Sequence, residues 1–212
     1  MEVACACNGT GWKPVIVDGV SGVTSCECRI QKINDRWQKQ IDPRFINADL
    51  ETVVPINASQ EIIIPQMRAN AAGNFFLFGP RDRGKTHLLA SQFAYLSKRQ
   101  TACYFRTAAQ LVDELYAHYL KDRPDHQSSD VLAALKRRKK IHLFIDDIDK
   151  VNLVRTDFRK EAMFTLIDGF YRNNLGLSVT TNKSPDQLRH EDLLDSAVVR
   201  RIEDMCSKME FV

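Results

Sequence analysis

Apolar and polar positions along the chain follow two alternating patterns. Short apolar runs lie at 75–78, 102–106, 141–147, 176–182 and 208–212. Such runs are typical of buried strands, whereas the segments between them repeat apolar residues at intervals of three and four, as amphipathic helices do. Alternating strands and helices favour a parallel sheet, because right-handed crossovers carry each helix back over the sheet. The pattern therefore predicts an α/β fold class.

Helices are expected between and beside these strands. Their predicted positions are 29–40, 59–72 bent or split by Pro65, a segment after residue 86, a segment capped by Thr107, 131–138, 159–171 and 195–205. Residues 122–129 form a polar loop. The helix at 29–40 is interpreted as a linker or a partner-binding face, and Cys103 as a buried core thiol.

The stretch GPRDRGKT at 79–86 lies between a predicted strand and a predicted helix. Backbone N–H groups at such a turn converge on phosphate, the helix dipole favours the anion, and Lys85 and Thr86 would reach the terminal phosphates and Mg²⁺. The alternative to a phosphate-binding loop is a strand-turn-helix that contains G-K-T by chance. Asp82 tolerates left-handed backbone, but a carboxylate facing phosphates would repel them. The candidate nucleotide-binding residues are Gly79, Pro80, Arg81, Asp82, Arg83, Gly84, Lys85, Thr86 and His87.

Polar residues end two later strands. Asp146 and Asp147 follow an apolar run. If their strand lies next to the strand that precedes the phosphate-binding loop (the P-loop strand), it would bring Asp146 to Mg²⁺ and Asp147 to an attacking water. An Asp-rich turn is the alternative. Asn182 would lie beside the γ-phosphate if its strand flanks the P-loop strand, although such an Asn is otherwise only a turn residue. Arg200 and Arg201 most often bind carboxylates or solvent, but one of them could reach ATP held by a neighbouring subunit.

Four cysteines form two C-x-C pairs near the N-terminus, Cys5 with Cys7 and Cys26 with Cys28. A hairpin with strands at 14–17 and 22–24 would bring the pairs together, and four thiolates suit tetrahedral Zn²⁺. The metal would then supply most of the folding energy of this short segment. Ordinary reduced cysteines are the main alternative, and a redox pair lacks the βαβ context it normally has.

Composition narrows the function only slightly. The 212 residues include 30 Lys and Arg against 27 Asp and Glu, a net charge of +3 that neither proves nor opposes nucleic-acid binding. No apolar run is long enough to span a bilayer and no signal peptide is recognisable, so a cytoplasmic protein without membrane association is expected. The basic run at 136–140 suits a helix C-terminus, with DNA phosphate contact as the alternative.

The set and order of these motifs resemble the AAA+ ATPases, and within them the DnaC/DnaI-type replicative helicase loaders and the related IstB transposition ATPases. The resemblance covers nearly the whole chain. The cysteine pairs are similar to the zinc-binding front of such loaders, and 41–45 is similar to the linker before their ATPase domain. Residues 79–86 resemble Walker A and 143–147 Walker B. Residues 180–182 resemble sensor 1, and 197–202 resemble the arginine-finger segment, with Arg201 the first choice.

The resemblance implies an AAA+ P-loop NTPase with a five-stranded parallel sheet and the P-loop strand at its centre, preceded by a small zinc-ribbon-like segment. The domains would be 1–40, a Cys-rich segment with a linker helix, and 41–212, an ATPase domain without a C-terminal lid. Asp82 replaces the glycine usual in the family, which implies weak nucleotide binding or turnover.

The implied function is an ATP-dependent loader that binds the replicative DNA helicase and single-stranded DNA, self-associates through its ATPase domain, and hydrolyses ATP slowly as a switch. The implied cofactors are ATP, Mg²⁺ and Zn²⁺. An IstB-like transposition ATPase is one alternative, and a zinc-dependent binding module with a degenerate ATPase domain is another.

Overall fold

A hairpin and a helix form the N-terminal part of the computed structural model. The structure describes residues 5, 7–119, 130–136, 140–150, 157–190 and 193–212. Strand β1 (Trp12–Val17) pairs antiparallel with β2 (Val20–Ser25) through a turn at Asp18 and Gly19, which both have positive φ. Helix α1 (Glu27–Gln38) follows directly. The predicted hairpin and helix are confirmed, with longer strands than the pattern indicated.

A second, parallel sheet and its helices make up the remainder of the described chain. The strands are β3 (Phe75–Phe78), β4 (Ala102–Thr107), β5 (Ile141–Asp146), β6 (Gly176–Thr181) and β7 (Ser207–Glu210). The helices are α2 (Ala58–Ala69), α3 (Lys85–Lys98), α4 (Ala108–Tyr119), α5 (Asp130–Lys136), α6 (Asp157–Arg172), α7 (Pro185–His190) and α8 (Ser196–Met205). Pro43–Phe45 and Ile148–Lys150 form short 3₁₀ helices. The predicted α/β class with a five-stranded parallel sheet is confirmed.

The strand order, β4-β5-β6-β3-β7, corrects two predictions. The P-loop strand β3 is not central, because β6 occupies that position. The strand carrying Asp146 does not flank β3 either, since β6 lies between them and pairs with both. Side chains of β3, β5 and β6 are almost all buried on both faces, so their apolar pattern does not reveal which strands are neighbours. The expectation that the strand before Asn182 flanks the P-loop strand is confirmed.

The helices cover the sheet on both faces. One apolar cluster contains side chains of α4, α5, α6 and α8, and the other contains side chains of α1, α2 and α3. Trp37 of α1 is buried, with its ring edge-on to Phe93 of α3 at 6.2 Å between centroids. Phe93 in turn meets Phe144 of β5 at 5.4 Å. Helix α1 is therefore anchored to the parallel-sheet core through Trp37.

Local features mostly follow the sequence. The Gln110 N–H donates to Thr107 Oγ1 and the Thr107 N–H donates to Gln110 Oε1, which confirms the predicted cap of α4. Pro65 lies inside α2 without ending it. Cys103 packs against the cluster of α1, α2 and α3 but is half-buried because β4 is an edge strand, so it lies at the margin of the core rather than inside it. The predicted loop 122–129 lies outside the described residues.

Candidate nucleotide-binding site

The predicted phosphate-binding loop joins β3 to α3. Gly79, Asp82 and Gly84 have positive φ values of 134°, 60° and 83°. At Gly79 a Cβ atom would lie 2.1 Å from the carbonyl oxygen of Phe211, so only glycine fits. Asp82 adopts the left-handed backbone that Asp tolerates better than most residues, and the residue is exposed. Asp82 therefore preserves a turn that elsewhere uses glycine.

Lys85 lies inside the loop. Its residue is 5% exposed, and Nζ donates to the carbonyl oxygens of Gly79 at 2.8 Å and Pro80 at 2.6 Å. It also donates to Asn182 Oδ1 at 3.1 Å. Burial lowers the pKa of Lys85, and the neighbouring carboxylates, Asp147 first among them, oppose that shift. The ammonium group is thus held where the loop N–H groups would receive phosphate oxygens.

Thr86 and Asp146 meet at the opening of the loop. Thr86 Oγ1 donates to Asp146 Oδ1 at 2.9 Å, and Thr180 Oγ1 donates to the same oxygen at 2.6 Å. Burial raises the pKa of Asp146, although the two hydroxyl groups oppose that shift. A hydroxyl and a carboxylate side by side suit Mg²⁺, which prefers oxygen ligands and binds few of them from protein when phosphates supply the rest. Thr86 and Asp146 therefore fit the predicted magnesium site, even though β6 lies between β5 and β3, the strand that precedes the loop.

Asp147 and Asn182 share a second set of contacts. Asn182 Nδ2 lies 3.3 Å from Asp147 Oδ1, while Asp147 Oδ2 forms an ion pair with Lys150. Asp149, which the sequence reasoning missed, accepts the backbone N–H of Asn182 at 3.1 Å. The predicted water-polarising carboxylate and γ-phosphate sensor are brought together, with Lys85 on the other side of the amide.

A cavity of about 830 Å³ extends from the loop towards the segment before α2. Ile41, Arg44, Phe45 and Ile56 line it, and the ring of Phe45 lies 6.1 Å from that of His87. Burial lowers the pKa of His87. Sequence reasoning assigned this segment only as a linker. The signal was present, since apolar and aromatic side chains next to a phosphate site are what a nucleotide base needs.

Gln60, at the start of α2, supports the loop from behind. It is 2% exposed, and its Nε2 donates to the carbonyl oxygen of Arg83 at 2.8 Å. Its Oε1 accepts the Ile56 N–H at 3.1 Å. A Cβ atom on Gly84 would lie 2.3 Å from Gln60 Nε2. Arg81 and Arg83 themselves are exposed at the cavity.

The two candidate finger arginines are not among the described residues that line the cavity. Arg201 Nε donates to Asp168 Oδ1 of α6 at 2.8 Å, and its guanidinium lies 4.5 Å from the centroid of the Phe164 ring. The Arg200 side chain is 82% exposed, with Asp204 3.9 Å away. Arg200 therefore extends into solvent, whereas Arg201 is held within its own chain.

The four N-terminal cysteines are brought together. Their Sγ atoms all lie within 4.8 Å of one another, and Cys5 Sγ is 3.1 Å from Cys26 Sγ. As predicted, the hairpin brings the two pairs together. Cys26 is the N-cap of α1 and Cys28 lies in its first turn, while Cys7 precedes the hairpin. A helix N-terminus suits thiolates because its dipole and unpaired N–H groups favour negative charge.

The donor set fits Zn²⁺. Zinc bonds to sulfur of about 2.3 Å imply S–S separations of roughly 3.8 Å in a tetrahedron, close to the spacing of this cluster. The Cys5 thiol and the Gly11 N–H, which donates to Cys7 Sγ at 3.2 Å, lower the pKa of Cys7 to about 6, whereas hydrogen bonding with Cys5 and Cys7 raises the pKa of Cys28 to about 12. Cys5, Cys7, Cys26 and Cys28 would therefore hold a structural zinc ion.

A loop that cradles phosphate, a buried lysine, a hydroxyl–carboxylate pair and a parallel α/β sheet together define a P-loop nucleotide-binding protein. Comparison with known proteins specifies the family. The family model "ATPase family associated with various cellular activities (AAA)" matches residues 75–205, and the chain belongs to this family. The predicted AAA+ ATPase is thus confirmed.

Relatives and solved structures agree with this assignment. The chromosomal replication initiator protein DnaA of Streptococcus thermophilus is 29% identical over 115 residues, which are 53% of this chain and 24% of DnaA. The chain therefore spans about a quarter of the length of the curated relatives it matches. A structure of the DnaC helicase loader has a TM-score of 0.67 at 23% identity, covering 81% of this chain and all of that one. A structure of DnaI has a TM-score of 0.62 at 21% identity, covering 81% and 95%. The fold is thus of the predicted DnaC/DnaI type.

Two further predictions concern membrane spans and the basic run at 136–140. None of the helices in the described part of the chain has the length and hydropathy that a membrane span requires. Of the basic run at 136–140, residues 137–139 lie outside the described residues, so its possible DNA contact stays a prediction.

Proposed function

We propose that this chain is an ATP-dependent loader of a replicative DNA helicase. The observation that carries the proposal is the fold match to the DnaC helicase loader over that chain's whole length, together with a complete set of nucleotide-site residues. The likeness to DnaA supports a role in replication. In this function the protein acts in the cytoplasm and contacts the helicase, single-stranded DNA and further copies of itself.

The nucleotide site suggests how ATP would be used. Lys85 and the loop N–H groups would hold the terminal phosphates, and Thr86 and Asp146 would hold Mg²⁺, which would supply charge neutralisation. Asp147 would polarise the attacking water. Asn182 contacts both Lys85 and Asp147, so a γ-phosphate beside Lys85 would alter the hydrogen bonds of the same amide that holds Asp147. Such a linked set suits slow, switch-like hydrolysis.

Self-association would complete the site. Arg200 is exposed on α8, and Arg201 is available to a neighbour only after it leaves Asp168. If a finger acts between subunits, an Arg200→Ala/Arg201→Ala protein mixed with an Asp147→Asn protein regains ATPase activity, because mixed interfaces contain one intact site. Mixtures as inactive as the separate proteins would contradict the shared site.

Copurification with the replicative DNA helicase of the same cell or phage tests the proposed function directly. We expect a complex with the helicase on size-exclusion chromatography, and release of the helicase on single-stranded DNA that depends on ATP. A protein that hydrolyses ATP but neither binds the helicase nor promotes its loading would overturn the loader function and leave the ATPase assignment intact.

A binding module with a degenerate ATPase domain is the second candidate, and Asp82 is the residue that favours it. The backbone of Asp82 weakens this reading because it keeps the left-handed turn of the loop, while its carboxylate, which lines the cavity, favours it. A thermal shift measurement separates the two. A rise in melting temperature with Mg-ATP supports a working site, and no rise in the parent protein supports the degenerate module.

A further inference from the structure

A basic groove lies between α1 and the edge strand β4, outside the nucleotide cavity. Its volume is about 750 Å³, and it is lined by the cations Lys32, Arg36, Lys39 and Arg106 and by a single carboxylate, Asp35. Asp35 also accepts a hydrogen bond from Gln31 at 2.8 Å. Four cations facing one carboxylate make the groove suited to a chain of negative charges.

The cations of α1 are arranged along one line. Lys32, Arg36 and Lys39 recur at intervals of four and three, which places them on one face of the helix. All three are exposed. From Lys32 to Lys39 the row is about 10 Å long at 1.5 Å per residue. A row of this length matches a few successive phosphates of a nucleic-acid strand.

Two of the groove's cations, Lys32 and Lys39, differ in their pairing from cations nearby. Lys98 and Arg99 on α3 form ion pairs with Asp49 and Glu51. Arg106 is likewise paired with Glu114. Lys32 and Lys39, by contrast, have no ion-pair partner within the residues that the structure describes. Their charge is therefore available to a ligand.

An aromatic side chain and the nucleotide cavity border the same groove. Tyr104 of β4 lies at its wall, half-buried because its side chain also packs against the apolar cluster of α4, α5, α6 and α8, and its exposed part can contact a base. Lys39 and Gln40 line both this groove and the nucleotide cavity. Gln40 Oε1 accepts the Phe105 N–H at 3.3 Å and an Arg106 N–H at 3.0 Å, so the two sites share a wall.

We propose that this groove binds the phosphate backbone of single-stranded DNA. The inference rests on the proposed function, because it names the surface by which a loader would hold DNA next to its nucleotide site. A row of cations beside an aromatic ring suits an unpaired strand, whose bases are open to the ring, better than a duplex, whose bases are stacked and paired.

The experiment is fluorescence anisotropy of the full chain with a labelled thymidine oligonucleotide of roughly 16 nucleotides over a range of salt concentrations. Three phosphate contacts, from Lys32, Arg36 and Lys39, predict a slope of log K against log salt of about −2 for a single strand. In a Lys32→Gln/Arg36→Gln protein two contacts are lost, so the slope becomes shallower by about 1.4 and the affinity at 0.1 M salt falls roughly 20-fold.

An Arg172→Gln/Lys208→Gln protein is the charge-matched control. Both side chains are exposed, and Lys208 lies on β7, at the opposite edge of the sheet from β4. We expect this control to bind DNA like the parent. Circular dichroism melting checks that both variants fold, and their exposed positions predict small changes.

Each outcome supports or overturns the proposal. If the parent binds no single-stranded DNA at low salt, the DNA-binding part of the proposed function fails with it. If the parent binds and the groove variant matches it, or the control loses as much, only the groove is wrong. Equal affinity for a duplex, or equal competition by a poly-glutamate peptide, would also overturn a site for single-stranded DNA.

Discussion

The nucleotide-binding loop and the cysteine cluster are both formed where a turn meets a helix N-terminus, but buried structure supports them unequally. All four residues of β3, which precedes the loop, are buried, and α3 behind it is mostly buried. The hairpin beside the cysteines is largely exposed, with Ile16 73% and Val20 71% accessible. Burial of apolar surface is the main source of folding energy. The loop can therefore form without its ligand, whereas we expect the cluster to need one.

The difference predicts opposite responses to loss of the ligand. A site preformed by the core loses affinity when a ligand-binding side chain is removed, but the fold remains. A site whose ligand supplies the folding energy loses its structure together with the metal. The predictions that follow test this contrast from the largest expected effect to the smallest.

Removing one cysteine ligand should have the largest effect. Structural zinc in small peptides binds with about 10–16 kcal/mol at neutral pH, more than the hairpin can gain from burial. We expect a Cys26→Ser protein to lose its zinc and the hydrogen-exchange protection of β1 and β2, while the parallel sheet keeps its protection. Metal analysis and hydrogen exchange measure both.

The matched control is Cys103→Ser, which changes a cysteine outside the cluster. It should retain one zinc ion per chain. Two results would contradict the contrast: no zinc in parent protein purified without chelator, or an unchanged hairpin in the Cys26→Ser protein.

A Lys85→Ala substitution tests the nucleotide-binding loop. A hydrogen bond from a charged donor contributes about 1.5–3 kcal/mol, so ATP affinity should fall roughly 10- to 150-fold. The fold should survive because burial already disfavours the Lys85 ammonium. Isothermal titration with ATP and metal analysis are the measurements. Zinc content should stay unchanged.

Lys98→Ala is the control for this prediction, since Lys98 lies at the other end of the same helix and pairs with Asp49. Its ATP affinity should equal that of the parent. A Lys85→Ala protein that binds ATP as well as the parent would remove the loop from the proposed function.

Lowering the pH tests how strongly the buried sheet depends on a neutral histidine for its stability. His142 on β5 is 3% exposed, with Nε2 2.9 Å from Ser178 Oγ, and burial lowers its pKa to about 3. Between this value and the unfolded value near 6.5 only the unfolded state takes up the proton, so stability falls as pH falls. At pH 5 the loss is about 2 kcal/mol relative to pH 7.

Urea unfolding at pH 7 and pH 5 measures this loss in the parent and in a His142→Gln protein, which keeps a polar partner for Ser178 without a titrating ring. The carboxylates affect both proteins alike, so the difference isolates His142. An equal loss of stability in the two proteins would show that the histidine is not held neutral by the core.

How much of this could be read from the sequence depends on whether a feature is local. The loop, the end of β5 and the cap by Thr107 follow from short patterns, and the structure has them where expected. The order of the strands does not, because β5 and β6 are both almost completely buried and only their packing decides which one flanks β3.

Side chains that act across the fold were also missed. Asp149, in the short 3₁₀ helix after β5, accepts the backbone N–H of Asn182, and Gln60 of α2 donates to the carbonyl oxygen of Arg83. Neither has a distinctive sequence neighbourhood, since an Asp after a strand and a Gln near a helix start are common. Phe45 was visible in the sequence but became meaningful only when the structure placed it beside His87.

The smallest predicted effect concerns Gln60, which tests whether the loop is held by the core or only by its own turns. Gln60→Met keeps the volume but leaves the Arg83 carbonyl and the Ile56 N–H without this partner. The hydrogen bond to the Arg83 carbonyl is the one that holds the loop. Its loss is worth about 1 kcal/mol, so ATP affinity should fall roughly five-fold. Gln66→Met, an exposed glutamine on the same helix, should leave it unchanged. If the Gln60→Met protein loses stability but binds ATP like the parent, Gln60 supports the fold alone, and the loop is preformed by its own backbone rather than by α2.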